Sequence, residues 1–430
     1  MSKTSQADRT EWFRKARFGM FIHWGLYSIA GRDMWYYWAE EIPKEEYEKL
    51  FYRFNPVDYD PDEWARLAKE AGMKYAVITT KHHDGFCLWD TELTDFKVTN
   101  TPYGKDVIEM WVKAFRRAGL RIGFYYSLLD WHHPHYTIDA FHPQRNNPKV
   151  RAEKRDWNKY VEYVHGQIRE LITKYGKIDI LWFDLGYEEG EAEAILEMAQ
   201  KDWFFYFNER PLGKPGDRFR ARELLRMMRE INPDILINDR LSRAVQEDIF
   251  TQAEQFVPFH PPMRNGKVIC WEVCDTINQS WGYCPTDTAY KSSAQLIREL
   301  VDIVSKDGNL LLDVGPTPQG RIQKEFVTRL KEIGKWMSEN GESIYGAGMS
   351  EFTPPPDARY TQKGKTLYLH LFHYLPGWQT LPGLAGKVEH ATLLRDGVNL
   401  TIREKGENLY VKMPPGLPES PDTVISLKLK

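Results

Sequence analysis

The feature that most constrains this chain is a repeat in texture. Five times, an amphipathic helical stretch ends near Gly or Pro and a short apolar run comes directly after it. PDEWARLAKEAG leads into residues 74–83, and VIEMWVKAFRRAG into 120–130. WNKYVEYVHGQIRELITKYG leads into 177–186, RARELLRMMREINP into 234–241, and SSAQLIRELVDIVSKDG into 309–316. Gly and Pro stand where helices stop. The apolar runs are nearly continuous, as in strands buried on both faces. Alternating helix and buried strand implies a parallel α/β sheet.

FGMFIHWG (18–25) reads as a first strand, and QFVPF (255–259) and VICWEV (268–273) as others. The count approaches eight, and neither a GxGxxG nor a P-loop motif appears. The fold expected is therefore a (β/α)8-like, TIM-type barrel over 1–345. From 346 to 430 the texture changes to short β-rich runs joined by Gly, Pro and Asp, expected to form a small antiparallel β-sandwich. The segment 187–219 is long for a connection between a strand and a helix and is expected to be an insertion on the catalytic face.

Composition narrows the function classes. With 58 Lys+Arg against 61 Asp+Glu, the net charge is -3. That balance gives no electrostatic reason to bind nucleic acid or an anionic membrane. No apolar run reaches the ~18 residues of a membrane span. MSKTSQADRTEWFRKARFGMF lacks the pattern of a signal peptide, so a cytoplasmic location is the expectation. Cys87, Cys270, Cys274 and Cys284 match neither a disulfide framework nor paired zinc spacings, and no HxH or HExxH appears. No metal or organic cofactor is expected. Aromatics form 14% of the chain, with 15 Trp and 23 Tyr. They suit core packing first, and the apolar face of a sugar second.

In a barrel, catalytic groups sit at the C-terminal ends of strands. The expected strands end in His23 and Trp24; His82, His83 and Asp84; Tyr126, Asp130 and Trp131; Asp184; and Asn238, Asp239 and Arg240. One such residue is ordinary structural chemistry; five strands delivering polar groups at one level are hard to explain by packing. His82 and His83, as neighbours, would face opposite ways on a regular strand. Asp184 comes after a buried run, so it must be paired, hydrogen-bonded or functional. An ion pair to Arg240 and a nucleophilic role beside a sugar are both open. Glycoside hydrolysis needs a second carboxyl that protonates the leaving oxygen. Glu254 and Glu272 are the candidates, both in stretches poor in regular pattern.

FGMFIHWG, TTKHHDGFCLWDT (79–91), YYSLLDWH, LWFD, INDR, CWEVCDTINQSWGY (270–283) and GNLLLDVGP occur in one order along the chain. As an ordered set they resemble the α-L-fucosidases of glycoside hydrolase family 29. The resemblance implies a retaining exo-hydrolase acting through a covalent fucosyl-enzyme on terminal fucose of oligosaccharides or glycoconjugates. It implies Asp184 as nucleophile, with Trp182 beside the sugar and His23, His82 and His83 binding its hydroxyls. Glu40, with Glu41 as rival, matches a further sugar-binding position. Tyr126 and Arg240 match polar groups near the nucleophile, and Trp281 an aromatic near the C5 methyl.

For the acid/base, relatives often show a segment like D-F-x-T-x-E. The segment ending at Glu254 is one residue longer, and Glu254 is preferred over Glu272. LWFDLG also departs from the WFDG common in relatives. A glycosidase for a related sugar such as an α-L-galactoside, and a silent sugar-binding protein, are the alternatives. Association into oligomers is common for such barrels, but the sequence sets no oligomeric state.

Overall fold

The computed structural model describes residues 5–201, 216–373, 376–416 and 420–430. Part of the 187–219 segment, residues 202–215, lies outside the described residues.

Eight parallel strands form the N-terminal sheet: β1 (Phe18–Ile22), β2 (Tyr75–Lys81), β3 (Arg121–Ser127), β4 (Ile180–Asp184), β5 (Leu236–Ile237), β6 (Phe250–Glu254), β7 (Trp271–Thr276) and β8 (Asn309–Val314). Their spatial order is β5-β4-β3-β2-β1-β8-β7-β6. The two edge strands meet through a parallel bridge between Asn238 and Ile249, which curls the sheet into a barrel. Asn238 also mends the ladder where β5 is short. Its side chain accepts from Phe183 N at 2.9 Å and donates to Phe183 O at 2.8 Å.

Helices Pro61–Glu70, Val107–Arg117, Trp157–Lys174, Ala221–Ile231, Ser293–Val304 and Lys324–Asn340 form the outer layer. Asp60 and Asp106 cap the first two by accepting from backbone N–H groups, and Ser292 closes a capping box. Alternation then divides the strand residues. Phe21, Tyr75, Val77, Tyr125, Trp182, Leu236 and Leu311 pack inside the barrel. Phe18, Met20, Ala76, Ile78, Tyr126, Phe183 and Leu312 pack outward against the helices. The first helix, Gln6–Ala16, plugs the N-terminal end, with Phe13 at 5.2 Å and Trp12 at 6.1 Å from the Tyr75 ring.

The barrel departs from the regular plan in its second half. Among the described residues no helix separates β5 from β6 or β6 from β7. The sixth strand is Phe250–Glu254, whereas QFVPF was expected to supply one; Gln255 takes φ +58° and ends the strand. Glu254 and Glu272 consequently sit on strands, not in irregular loops.

Past the last helix, Ala358–Lys363, Thr366–Leu371, Thr423–Leu429, Val388–Leu393 and Asn399–Leu400 pair in that order as a five-stranded antiparallel sheet. Gly377–Leu381, Asn408–Met413 and Ile402–Lys405 form a three-stranded one. Leu367, Leu369, Ile425 and Leu427 of the first share a core with Leu381, Leu409 and Val411 of the second. This β-region is anchored on the barrel helices. Arg298 donates to Pro421 O and Phe372 O, and the Trp336 indole donates to Asp422 O. Among the described residues no helix is long and apolar enough to cross a membrane.

Candidate active site

A cavity of about 1230 Å3 opens at the C-terminal ends of the strands. Its lining draws on four of the five strand ends that the sequence singled out. His23, His82, His83, Trp182, Asp184, Arg240, Glu254 and Trp281 all border it. Glu40, Glu272 and Tyr126 do not.

Asp184 is the last residue of β4 and lies at the cavity floor. Its Oδ1 accepts from Arg240 Nη1 at 2.9 Å and from Leu185 N at 3.0 Å. Its Oδ2 accepts from the Tyr125 hydroxyl at 2.8 Å and lies 3.9 Å from His83 Nε2. Both oxygens are thus held, and the carboxylate cannot rotate freely. The backbone beside it is unusual. Leu185 sits at φ +54°, left-handed territory that a leucine rarely adopts. Gly186 explains why the chain must turn here. A Cβ on it would lie 2.2 Å from Leu241 O and 2.4 Å from Arg240 O, because the ends of β4 and β5 approach that closely.

Arg240 joins the two candidate carboxylates. While Nη1 serves Asp184, Nη2 donates to Glu254 Oε2 at 2.9 Å and to Thr251 O at 2.9 Å. The guanidinium lies over the Trp182 ring, 4.6 Å from its centroid. Burial by itself would lower its pKa, but Glu254 and Asp184 overturn that and hold it charged. A planar fork spanning both acids keeps them within one guanidinium's reach. Glu254 ends β6, and Gln255, at φ +58°, turns the chain away directly after it. Both acids are therefore succeeded by a residue in left-handed conformation.

The histidines form a neutral, polar wall. His23 Nδ1 is 2.7 Å from Asp313 Oδ1, which leaves Nε2 for the cavity. His83 Nδ1 is 2.7 Å from Ser127 Oγ. His82 stacks on Tyr125 at 5.4 Å and 10°. Both His82 and His83 border the cavity although they are neighbours, with ring centroids 3.9 Å apart. β2 ends at Lys81 after a register shift, and a turn comes next, so strand alternation no longer governs them. Burial, reinforced by neighbouring imidazoles or cations, pushes all three pKa values well below the ordinary value. They face a ligand as neutral donors and acceptors.

The apolar part of the lining is aromatic. Trp182 stacks on Tyr125 at 5.6 Å and 20°, Phe21 lies 5.1 Å from Trp182, and Trp281 lies 5.2 Å from His23. Trp35 reaches over His83 at 4.8 Å, with Trp38 and Phe141 beyond. The 187–219 segment contributes Ile195 and Leu196 from helix Glu191–Lys201.

Three sequence expectations are placed elsewhere. Tyr126 points outward, and its hydroxyl donates to Gln167 at 2.7 Å among the helices. Tyr125, one residue earlier and paired in register with Trp182, holds the inward position. Glu40 is exposed and paired with Arg32, and its rival Glu41 pairs with Arg145 at 3.1 Å. Neither borders the cavity; the same stretch delivers Trp35 and Trp38 instead. Glu272 is buried inside the barrel below Trp182, accepting from the Trp182 indole at 3.2 Å and from the Tyr75 hydroxyl. Asp313 and Tyr125 went unnamed from sequence. The parity that put Trp182 and Asp184 inward would have found Tyr125. Among the described residues no group of three or more His, Cys, Asp or Glu is arranged to hold a metal ion.

Comparison with known proteins gives a consistent result. Residues 1–342 match the family model described as alpha-L-fucosidase. An alpha-L-fucosidase isoenzyme 1 from Paenibacillus thiaminolyticus is similar at TM-score 0.91 and 44% identity, covering 99% of this chain and 100% of that one. A GH29 alpha-L-fucosidase from Bacteroides thetaiotaomicron, solved as a trapped covalent intermediate with 2-fluoro-fucosyl fluoride, is similar at TM-score 0.83 and 28% identity, covering 100% and 98%. An alpha-L-fucosidase of Dictyostelium discoideum is 30% identical over 368 residues, 78% of this chain and 71% of that protein. The chain belongs to the alpha-L-fucosidase family, glycoside hydrolase family 29.

Proposed function

We propose that the protein is a retaining exo-α-L-fucosidase that releases terminal α-L-fucose from oligosaccharides or glycoconjugates. The observation that carries the reading is the pair Asp184 and Glu254, each 2.9 Å from the same Arg240 guanidinium at the floor of the cavity. Retention needs two carboxyl groups about 5–5.5 Å apart, close enough for one to attack the anomeric carbon. A shared guanidinium fits that spacing better than the wider gap left for a water in inverting enzymes.

Asp184, ionised, forms a C–O bond to the anomeric carbon as the glycosidic bond breaks. Glu254 gives its proton to the departing oxygen, and the aglycone leaves as an alcohol. The vacated side admits water. Glu254, now a base, takes the water's proton while the hydroxide attacks the anomeric carbon, and Asp184 is released as carboxylate. Arg240 contacts both acids and so faces the single negative charge at each stage, on Asp184 before attack and on Glu254 in the intermediate. The neutral imidazoles of His23, His82 and His83 hydrogen-bond the ring hydroxyls without adding charge at the reaction centre.

The barrel interior closes the cavity floor with Phe21 and Trp182, so only the end of a glycan enters. Phe21 and Trp281 supply an apolar surface suited to the C5 methyl of a 6-deoxy sugar. A C6 hydroxyl would meet that surface without a partner, which disfavours an α-L-galactoside. The test is release of 4-nitrophenol from its α-L-fucoside, with Asp184→Gly beside the wild type. Activity lost by orders of magnitude in the variant supports the reading. Equal activity in both removes Asp184 from the chemistry. Silence of the wild type on aryl and natural fucosides alike favours a sugar-binding role.

A further inference from the structure

Glu272 takes no part in the chemistry above, yet it is an acid buried inside the barrel directly beneath it. It lies near the start of β7, and its neighbours are specific. Oε1 accepts from the Trp182 indole N–H at 3.2 Å and Oε2 from the Tyr75 hydroxyl. Trp182 is in turn the shared support for both side chains that grip Asp184. Tyr125 stacks on one part of it at 5.6 Å, and the Arg240 guanidinium lies 4.6 Å from its centroid. Rotation of the indole would move the Asp184 donors together, and the bond to Glu272 opposes that rotation.

We propose that Glu272 is a positioning residue for the nucleophile, acting through the Trp182 indole and depending on its own negative charge. The proposal rests on the fucosidase reading for its catalytic consequence, not for the contact itself. An ionised carboxylate pulls on the indole N–H more strongly than a neutral carboxyl does. It also enriches the ring face on which the Arg240 cation rests. The group can change charge in the working range, because burial pushes its carboxyl up to about 7 against the opposing pull of Tyr75, Trp182 and Arg240. The surrounding elements hold few other charges. Tyr75 faces Glu272 from β2 and Arg240 from beyond Trp182, while Cys270, just before β7, and Cys274, within it, flank it along the chain. Tyr75, Cys270 and Cys274 are all held neutral by burial. Asn309, paired with Glu272 from β8, brings no charge, and from the end of the first helix Arg14 and Arg17 act on Cys270.

The test tracks the Trp182 indole N–H by 15N-correlated NMR between pH 5.5 and 8.5, its resonance identified by its loss in Trp182→Phe. The expected result is a shift with a midpoint near 7 that vanishes in Glu272→Gln, whose amide retains a hydrogen bond to the indole. On 4-nitrophenyl α-L-fucoside, Glu272→Gln should lower kcat about tenfold at pH 8 with KM nearly unchanged, and should lose an acid-side limb near neutrality, the size expected of a modest misplacement. Tyr75→Phe, which removes a donor to the charged form, should move the midpoint upward. A Trp182 resonance that does not titrate in the wild type overturns the proposal, whether or not any fucoside is hydrolysed. So does a Glu272→Gln enzyme with wild-type kcat and pH profile. Restoration of Glu272→Gln by azide would make Glu272 the acid/base instead, and would equally overturn it.

Discussion

Replacing Tyr125 by Phe removes one oxygen, the donor to Asp184 Oδ2 at 2.8 Å. Replacing Tyr126 by Phe removes another, the donor to Gln167 at 2.7 Å on the opposite face of β3. The two changes are chemically identical and adjacent in sequence, so any difference between them reports which side of the strand carries the chemistry. A hydrogen bond to a charged acceptor contributes about 1.5–3 kcal/mol. Its loss at Asp184 acts in two directions. The freed carboxylate is a better nucleophile, but Oδ2 is left with no donor closer than His83 at 3.9 Å and can swing. Misplacement of a reacting group is the costlier effect, so Tyr125→Phe should lower kcat/KM on 4-nitrophenyl α-L-fucoside about 10- to 100-fold. Tyr126→Phe strands Gln167 Oε1 in the helix layer, costing about 1–3 kcal/mol of stability, and should leave kcat/KM within about threefold of wild type. Steady-state kinetics and urea unfolding of both variants decide it. Equal kinetic losses, or the larger loss in Tyr126→Phe, would refute the assignment of the inward face.

Glu254→Ala should hydrolyse activated aryl fucosides poorly, and added azide should raise the rate while yielding fucosyl azide, detectable by mass spectrometry; rescue without azide product would remove Glu254 from the acid/base role. Glu272, raised from 4.5 to about 7, holds a proton in the folded protein between those pH values that the unfolded chain has already released. Stability therefore falls as pH rises through this window and levels off above it. Glu272→Gln should thus gain on wild type by about 3 kcal/mol between pH 4.5 and 8 in urea titrations, and a constant difference would contradict the buried charge. Gly186→Ala should abolish soluble folding or activity, since its Cβ would fall 2.2 Å from Leu241 O; a variant with normal kcat would show that the ends of β4 and β5 separate easily.

Much of the site was legible in the sequence because barrels place chemistry at a predictable level. His23, Asp184 and Arg240 stand out as the polar residues at which buried apolar runs end. The strand-end rule does not supply parity, however. It reached β3 correctly and then chose Tyr126, where alternation anchored on Trp182 and Asp184 selects Tyr125. The adjacent histidines show the converse, since His82 and His83 escape alternation only because β2 stops at Lys81. Glu40 is placed away from the cavity for a different reason. It lies outside the barrel strands, at the end of the four-residue helix Tyr36–Ala39, where no period predicts direction, and Arg32 captures it. The sixth strand was displaced by five residues because FTQAE looks less β-like than QFVPF. The chain turns at Gln255, whose φ of +58° ends the strand before QFVPF begins. Asp313 gave no signal beyond its place in GNLLLDVGP, because its role is to orient His23 and not to face the cavity.

In the proposed reaction everything turns on Asp184 becoming covalently bonded to the sugar. That bond is tested most directly by treating the purified protein with 2-deoxy-2-fluoro-α-L-fucosyl fluoride and mapping the labelled peptide. One fluorofucosyl unit per chain is predicted, carried on the ILWFD peptide at Asp184 and absent from Asp184→Gly. A label on Glu254 or Glu272, or turnover of the reagent with no trapped adduct, would contradict it.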